Sequence, residues 1–225
     1  VEEHVERQDM IQLLMEAKRG KNILVIHIFF LLEWTLVDLT SQVFIFFIVG
    51  FETAATALIM CTHEFAINPV VQERLYQEIR KHQEEKELQF DNINELKYMD
   101  CVINETLRKW APTPMLDRVC VKTYTLPPPR EGAEPVVVIP GDVIFIMENS
   151  IHMDDKPFTH MPFGLGPRNC IAMHNLYCRY KFALLALKVL LYHLILNFHI
   201  GKTERTHDPI VLRPHSFNIR SVNGT

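Results

Sequence analysis

The stretch Pro162–Ala172, Pro-Phe-Gly-Leu-Gly-Pro-Arg-Asn-Cys-Ile-Ala, converges on one cysteine. Gly164 and Gly166 carry no Cβ, so the backbone can turn tightly there and approach a flat ligand closely. Arg168 stands two residues before Cys170, where a guanidinium can pair with a carboxylate or stabilise a thiolate. An apolar helical pattern begins at Cys170, and the free N–H groups of a helix N-terminus also favour a thiolate. The stretch therefore predicts a loop that presents one sulfur atom.

A thiolate held in a loop of this kind is how a protein offers a single sulfur ligand to haem iron. Phe163, Gly166, Arg168 and Cys170 fall in register on the pattern F-x-x-G-x-R-x-C-x-G, and the stretch resembles the haem-binding loop of cytochromes P450. The resemblance implies that Cys170 is the axial ligand of haem b and that the other three residues surround the cofactor. The last glycine of the pattern is Ala172 here. The alternative is a glycine-rich turn before an ordinary buried cysteine.

The composition is that of a globular protein. The chain has 225 residues, 48% of them hydrophobic and 22% charged, with a net charge of −4, which argues against a disordered or nucleic-acid-binding protein. The cysteines form no Cys-x-x-Cys pair and no zinc-like cluster, which is typical of a reducing compartment. They are Cys61, Cys101, Cys120, Cys170 and Cys178. Four histidines lack metal-ligand spacing and are interpreted as packed or surface residues: His63, His152, His193 and His199.

The N-terminal region gives two expectations. The chain opens on Val1-Glu2-Glu3 without a methionine, so we expect a fragment. The apolar run Ile23–Leu32 is too short for the roughly 20 residues that a membrane-spanning helix needs. Polar residues interrupt its extension toward Val43–Val49.

The periodicity predicts a mainly α fold with small β-sheets. The segment from Leu36 to Thr62 is apolar on every side, which predicts a buried helix. Asn68-Pro69 predicts a helix start, with Asn68 as the capping residue. Further helices are predicted to about Lys86, with Val70, Leu75 and Ile79 inward, and then at about 97–110 and 182–200. The segments 136–139 and 143–147 flank Pro140-Gly141 and predict a β-hairpin.

Glu105 and Arg108 stand three residues apart on the predicted helix 97–110, so they share one helix face and can pair. The plain alternative is a surface ion pair worth a few tenths of a kcal/mol. The surrounding sequence resembles the K helix of the cytochrome P450 family, which implies that the pair supports the haem pocket from its proximal side. The resemblance also offers Arg118 as a ligand of a haem propionate, with a surface arginine as the alternative.

Val49-Gly50-Phe51-Glu52-Thr53 lies inside the predicted apolar helix. Glycine there costs about 1 kcal/mol relative to alanine, and an acid or hydroxyl in apolar surroundings needs a partner. The stretch resembles the oxygen-activation motif of the family, which implies that Glu52 and Thr53 deliver protons to the O₂ co-substrate. Val49 departs from the small residue that the motif usually has. The alternative is a glycine that serves helix–helix packing.

The order of these motifs resembles the C-terminal half of a cytochrome P450. The local sequence looks most like that of insect microsomal members of types 6 and 9. Residues 1–225 are therefore expected to form one partial domain, with the haem-thiolate loop at 162–172. Three departures suggest an incompletely predicted gene. Compared with the family, the N-terminal half is missing. A few dozen residues are also missing at the seam 156–157, including an arginine that completes a triad with Glu105 and Arg108. Segments 21–35 and 174–180 look added. A transcript that contains these junctions as written would contradict this hypothesis.

The resemblance implies a haem-thiolate monooxygenase that inserts one oxygen atom of O₂ into small lipophilic substrates. Electrons would come from NADPH through cytochrome P450 reductase, with cytochrome b5 as a further candidate partner. The location implied is the cytoplasmic face of the endoplasmic reticulum membrane. A haem-thiolate isomerase or dehydratase, an inactive fragment, and a haem-binding module without oxygenase activity remain as alternatives.

Overall fold

The computed structural model describes residues 35–89, 91–154, 159–166, 169–170 and 182–211. Its five helices are α1 (Leu36–Ile67), α2 (Pro69–Glu85), α3 (Lys97–Lys109), α4 (Glu148–His152) and α5 (Phe182–Asn197), with a short 3-10 helix, Ile93–Glu95, between α2 and α3. Four short strands lie between α3 and α4: β1 (Leu116–Val119), β2 (Tyr124–Leu126), β3 (Val136–Val138) and β4 (Val143–Ile146). The predicted fold class, mainly α with small β-sheets, is confirmed.

Helix α1 begins at a reciprocal cap. The Oγ1 of Thr35 accepts the N–H of Asp38 at 3.2 Å, and the Asp38 carboxylate accepts the N–H of Thr35 at 2.8 Å. These bonds satisfy two donors that the first helical turn would otherwise leave open. The hydrogen bond from Thr35 holds the pKa of Asp38 below its usual value.

The chain divides within α1, after Glu52, into two units that are described separately. In the first unit, large side chains of α1 are exposed, among them Phe44, Phe47 and Phe51 at 61%, 69% and 70%. The prediction of a helix buried on every side is therefore wrong for 36–52. Burial needs apolar neighbours on all sides, and the described part of this unit, 35–52, consists of this helix and its cap. By length and composition alone, α1 could also cross a membrane.

The second unit runs from Thr53 to Thr225, and its core forms where the second half of α1 meets α2, α3 and α5. Side chains of this size contribute about 1.5–3 kcal/mol each when fully buried. Those with no exposed surface are Cys61, Phe65, Leu75, Ile79, Met99 and Leu191. The apolar interpretation of α1 thus holds for its C-terminal part.

Helix α2 begins at Pro69 as predicted, but its N-cap works differently. Asn68 makes no side-chain cap, and its Nδ2 instead donates to the Glu64 carbonyl at 3.0 Å, back toward the end of α1. Leu75 and Ile79 face the core, whereas Val70 is 80% exposed, which corrects the expectation for that residue. In the same turn Val71 packs against the core and Gln72 is buried, so Val70 stands on the outward face of α2.

A carboxylate from α2 caps the start of α3. Glu78 accepts the N–H of Tyr98 at 2.8 Å and the N–H of Met99 at 3.0 Å, one on each oxygen. These two donors belong to the first turn of α3, which has no intrahelical acceptor for them. The negative charge also interacts favourably with the positive end of the helix dipole.

We expect Glu78→Ala to lower the free energy of unfolding by about 1–2 kcal/mol, because the first turn of α3 loses both acceptors. Glu78→Gln should cost less, since the amide oxygen still accepts one bond. Urea unfolding followed by circular dichroism measures both variants. Equal losses for Ala and Gln would argue against a capping role.

The strands form two separate two-stranded antiparallel sheets. In the first, Leu116 pairs with Ile146 and Val119 with Val143; in the second, β2 pairs with β3. The predicted hairpin over 136–147 is therefore wrong in its pairing, although both of its strands exist. The turn between them is real, with Gly141 at φ 99°.

The backbone beyond β1 explains why β4 pairs with that strand. The N–H of Cys120 donates to the Asp142 carbonyl at 2.8 Å, and the N–H of Gly141 donates to the Cys120 carbonyl at 2.9 Å. These two hydrogen bonds extend the pairing of β1 and β4 into the turn. Beyond the turn, β4 continues along β1, while β3 pairs with β2.

Candidate functional site

The cysteine loop is closed by backbone hydrogen bonds. The N–H of Cys170 donates to the Phe163 carbonyl at 2.7 Å, and the N–H of Gly164 donates to the Met161 carbonyl at 2.9 Å. Phe163 is half-buried and packs against the core of the second unit. Cys170 is a free, half-buried thiol. The loop therefore holds its cysteine at the end of a turn whose other end is fixed to the core.

The glycines of the loop have different structural roles. Gly164 has φ +71°, which side chains rarely tolerate, and a Cβ there would lie 3.4 Å from the Cα of Asn169. The prediction that the turn needs glycine is thus confirmed at Gly164. A Cβ on Gly166 would meet no described atom within 4 Å, and its carbonyl accepts the N–H of Asn169 at 3.0 Å. Arg168 lies outside the described residues.

Glu105 and Arg108 form the predicted pair on α3. The Nε of Arg108 donates to one carboxylate oxygen and its Nη2 to the other, both at 2.7 Å. The Arg108 hydrogen bond holds the pKa of Glu105 below its usual value. Its contribution to stability is therefore present above pH 4.5 and is lost as the pH falls through the lowered pKa. The Nη1 of Arg108 also lies 3.3 Å from the sulfur of Met153.

The structure adds a residue that the sequence analysis did not assign to the site. His152, at the end of α4, is 1% exposed, and its Nε2 accepts the N–H of Met161 at 3.2 Å. The same Nε2 lies 3.6 Å from the carboxylate of Glu148. The ring of His160 stands edge-on to that of His152, with centroids 5.3 Å apart. The spacing of the histidines along the chain gave no signal of this cluster, because it joins a helix to a loop.

The three side chains of this cluster favour their neutral forms. Burial raises the pKa of Glu148 to about 7. Burial, and then the neighbouring His160, lower the pKa of His152. Burial, and then the charge of Arg108, lower the pKa of His160. Burial thus favours an uncharged cluster of Glu148, His152 and His160.

We expect Glu148→Gln to stabilise the chain above neutral pH. The carboxyl group is protonated in the folded state and ionised in the unfolded state between pH 4.5 and about 7. Its favourable contribution is therefore complete below pH 4.5 and lost as the pH rises through about 7. The glutamine removes this loss, which predicts a gain of about 2–3 kcal/mol at about pH 8 and little change at about pH 5. Urea unfolding at both pH values tests this, and an equal effect at both would contradict it.

The remaining predicted site residues lie on α1 and β1. Glu52 ends the first unit and Thr53 begins the second, and both are half-buried within α1. A Cβ on Gly50 would meet no described atom within 4 Å, so the packing-glycine alternative has no support there. Arg118 is exposed on β1, and its Nη1 donates to the neighbouring Asp117 carbonyl at 2.6 Å.

Comparison with known proteins assigns the family. The family model described as Cytochrome P450 matches residues 2–160. Cytochrome P450 9e2 of Blattella germanica is 36% identical over 97% of this chain and 44% of its own length. Cytochrome P450 9b2 of Drosophila melanogaster is 34% identical over 98% of this chain and 45% of its own. The probable cytochrome P450 6a13 of the same fly is 32% identical over 99% of this chain and 46% of its own. The predicted likeness to insect members of types 6 and 9 is confirmed.

The chain spans about half the length of these relatives. The cockroach alignment runs over 249 positions, so at least 24 of them, the difference between 249 and 225, face gaps in this chain. The cysteine loop lies beyond residue 160, where the family-model match ends, but the relatives align over nearly the whole chain. Since the family model covers well over half of the chain and relatives exceed 30% identity along it, the chain belongs to the cytochrome P450 family.

Proposed function

We propose that this chain is the haem-thiolate portion of a monooxygenase that inserts one oxygen atom of O₂ into small lipophilic substrates. The observation that carries the proposal is the closed turn that presents Cys170, in which its N–H bonds to the Phe163 carbonyl at 2.7 Å. The hydrogen bond of the Cys170 N–H fixes the backbone position from which the sulfur extends, and a single axial ligand needs such a fixed position.

The loop residues fit haem b. The thiol is free and half-buried, and Gly164 keeps the turn tight where a Cβ would crowd the backbone of Asn169. When bound, haem with a thiolate ligand supplies O₂ activation and favours O–O cleavage. Cys170 would hold the iron, while Phe163, Gly166 and Arg168 would surround the cofactor. Arg118 would contact a haem propionate.

Two further pairs complete the proposed site. Glu105 and Arg108 would support the haem pocket from its proximal side through their bidentate ion pair. Glu52 and Thr53 would pass protons toward the O₂ co-substrate, since a carboxyl and a hydroxyl in sequence can relay a proton through water. Electrons would come from NADPH through cytochrome P450 reductase, with cytochrome b5 as a second donor. We propose the cytoplasmic face of the endoplasmic reticulum membrane as the location.

The test is to express the chain with added haem and record its dithionite-reduced, CO-bound difference spectrum. A red-shifted Soret band typical of thiolate ligation is the expected result. No haem-dependent band would overturn the haem assignment. NADPH consumption with added reductase and a lipophilic substrate then tests the oxygenase activity.

A second candidate is a family member that binds haem or carries the motifs without activity. The observation that favours it is the gaps within the alignment: the match to the cockroach relative runs over 249 positions, and at least 24 of them, the difference between 249 and 225, have no residue in this chain. A thiolate Soret band without NADPH consumption would select this candidate over the monooxygenase.

A further inference from the structure

The Nε2 atom of His152 lies between two competing partners. The N–H of Met161 approaches it at 3.2 Å and the carboxylate of Glu148 at 3.6 Å. Because Met161 donates its hydrogen, Nε2 carries no proton in this arrangement, and the ring is neutral. A protonated ring would turn Nε2 into a donor, which the N–H of Met161 repels. An oxygen of the Glu148 carboxyl group can accept a hydrogen bond from it whether or not that carboxyl is ionised. One nitrogen therefore serves either the loop or the helix, according to its protonation.

Met161 is the first link of a backbone path to the cysteine. Its N–H is bound by His152, while its carbonyl accepts the N–H of Gly164 at 2.9 Å. Phe163, next to that glycine, accepts the N–H of Cys170 at 2.7 Å. The anchor at His152 and the cysteine are thus linked through two backbone hydrogen bonds, and Phe163, which accepts the second of them, packs on the core.

We propose that His152 is a positioning residue for Cys170: its neutral ring anchors the cysteine loop through Met161, and protonation of the ring releases the loop. The inference rests on the proposed function only in taking Cys170 as the haem ligand. A loop released at Met161 would present its sulfur in a wider range of positions. Haem ligation would then weaken on acidification through an event at α4 rather than at the thiol.

The charged and titratable groups around the ring come from three elements. Glu148 lies on α4, the helix that carries His152, and His160 lies on the loop. Helix α3 contributes Arg108 and Glu105, which interact with His160. The burial of the ring and the neighbouring His160 oppose protonation of His152. Arg108 and Glu105 act on His160, whose pKa Arg108 lowers and Glu105 raises. Burial and His160 hold the pKa of His152 below 6.5, so release is expected as the pH falls below that value.

The experiment compares His152→Gln with His152→Leu in the haem-free 225-residue chain. The glutamine amide can accept the Met161 N–H at any pH, whereas leucine cannot accept it at all. The reaction of each cysteine with N-ethylmaleimide is followed by peptide mass spectrometry between about pH 5.5 and about pH 7.5, on both sides of the ordinary histidine pKa. Cys101, which is exposed, serves as the reference for the reagent's own pH dependence. Cys61 is buried, and burial raises the pKa of its thiol to about 11, so its protection reports that the chain stays folded.

We expect the ratio of Cys170 to Cys101 labelling to rise on acidification in the parent chain and to stay flat in His152→Gln. In His152→Leu the ratio should be raised at every pH, by roughly fivefold, as the loss of one ordinary hydrogen bond would give. Equal ratios in the parent and both variants would overturn the proposal, and so would a glutamine variant that behaves like leucine. If His152→Leu exposes Cys61, that variant is set aside and the parent chain is compared with His152→Gln across the pH range. A ratio of Cys170 to Cys101 labelling that stays flat in the parent chain would then overturn the proposal.

This readout is independent of the proposed function. The labelling needs no haem, so a chain without a thiolate Soret band can still show the predicted anchor. Conversely, a normal Soret band with flat labelling ratios would leave the haem assignment standing and reject the anchor.

Discussion

Cys170→Ser is expected to abolish the thiolate Soret band of the CO-bound, haem-loaded chain completely. A serine hydroxyl is not ionised near neutral pH and does not replace a thiolate as the axial ligand, although it occupies nearly the same space. The backbone turn should survive, because its bonds run from the Cys170 N–H to the Phe163 carbonyl and do not use the side chain. The reduced CO difference spectrum measures the effect, and the labelling pattern of Cys61 reports that the variant is folded.

The matched control is Cys101→Ser. Cys101 is also a free thiol of the described region, but it is exposed on α3 and is not part of the cysteine loop. Its replacement should leave the band unchanged in position and height. A band that persists in Cys170→Ser, or one that disappears in Cys101→Ser, would refute the assignment of the ligand.

Asp100→Asn is expected to lower the free energy of unfolding by about 3 kcal/mol, because it strands the charge of Lys188 inside the core. Lys188 is 4% exposed, and its Nζ lies 2.6 Å from the Asp100 carboxylate and 2.9 Å from the Asn94 side-chain oxygen. Removal of one partner leaves the buried ammonium group with a neutral amide in place of its counter-charge. We place the loss at the low end of the range for buried pairs, since Asp100 retains 34% exposure. Urea unfolding measures the change.

Two comparisons make this prediction specific. Lys81 and Glu85 form an exposed pair at 3.9 Å, so Glu85→Gln should change the free energy of unfolding by less than about 0.5 kcal/mol. Lys188→Met removes the buried charge and leaves the carboxylate of Asp100 partly solvated, so it should cost less than Asp100→Asn. If Asp100→Asn and Glu85→Gln had equal effects, the pair at Lys188 would have no special role in the core.

Sequence patterns predicted those features that depend on near neighbours in the chain. Glu105 and Arg108 pair because a spacing of three residues puts them on one helix face, whatever surrounds the helix. Gly164 adopts a positive φ because the loop motif contains a turn that only glycine tolerates easily. Leu75 and Ile79 lie inward because apolar residues four apart share the face that a core covers.

The tertiary structure decided which elements meet, and four features of the chain depended on that. β4 pairs with β1 rather than with β3, because alternating apolar residues define a strand but not its partner. The first half of α1 is exposed although its composition is apolar, because the described part of its unit, 35–52, packs no other element against it. The contacts of His152 with Met161 and of Lys188 with Asp100 join residues on separate elements. Local spacing fixes the face on which a residue stands, but packing fixes what that face meets, so these contacts left no local pattern in the sequence.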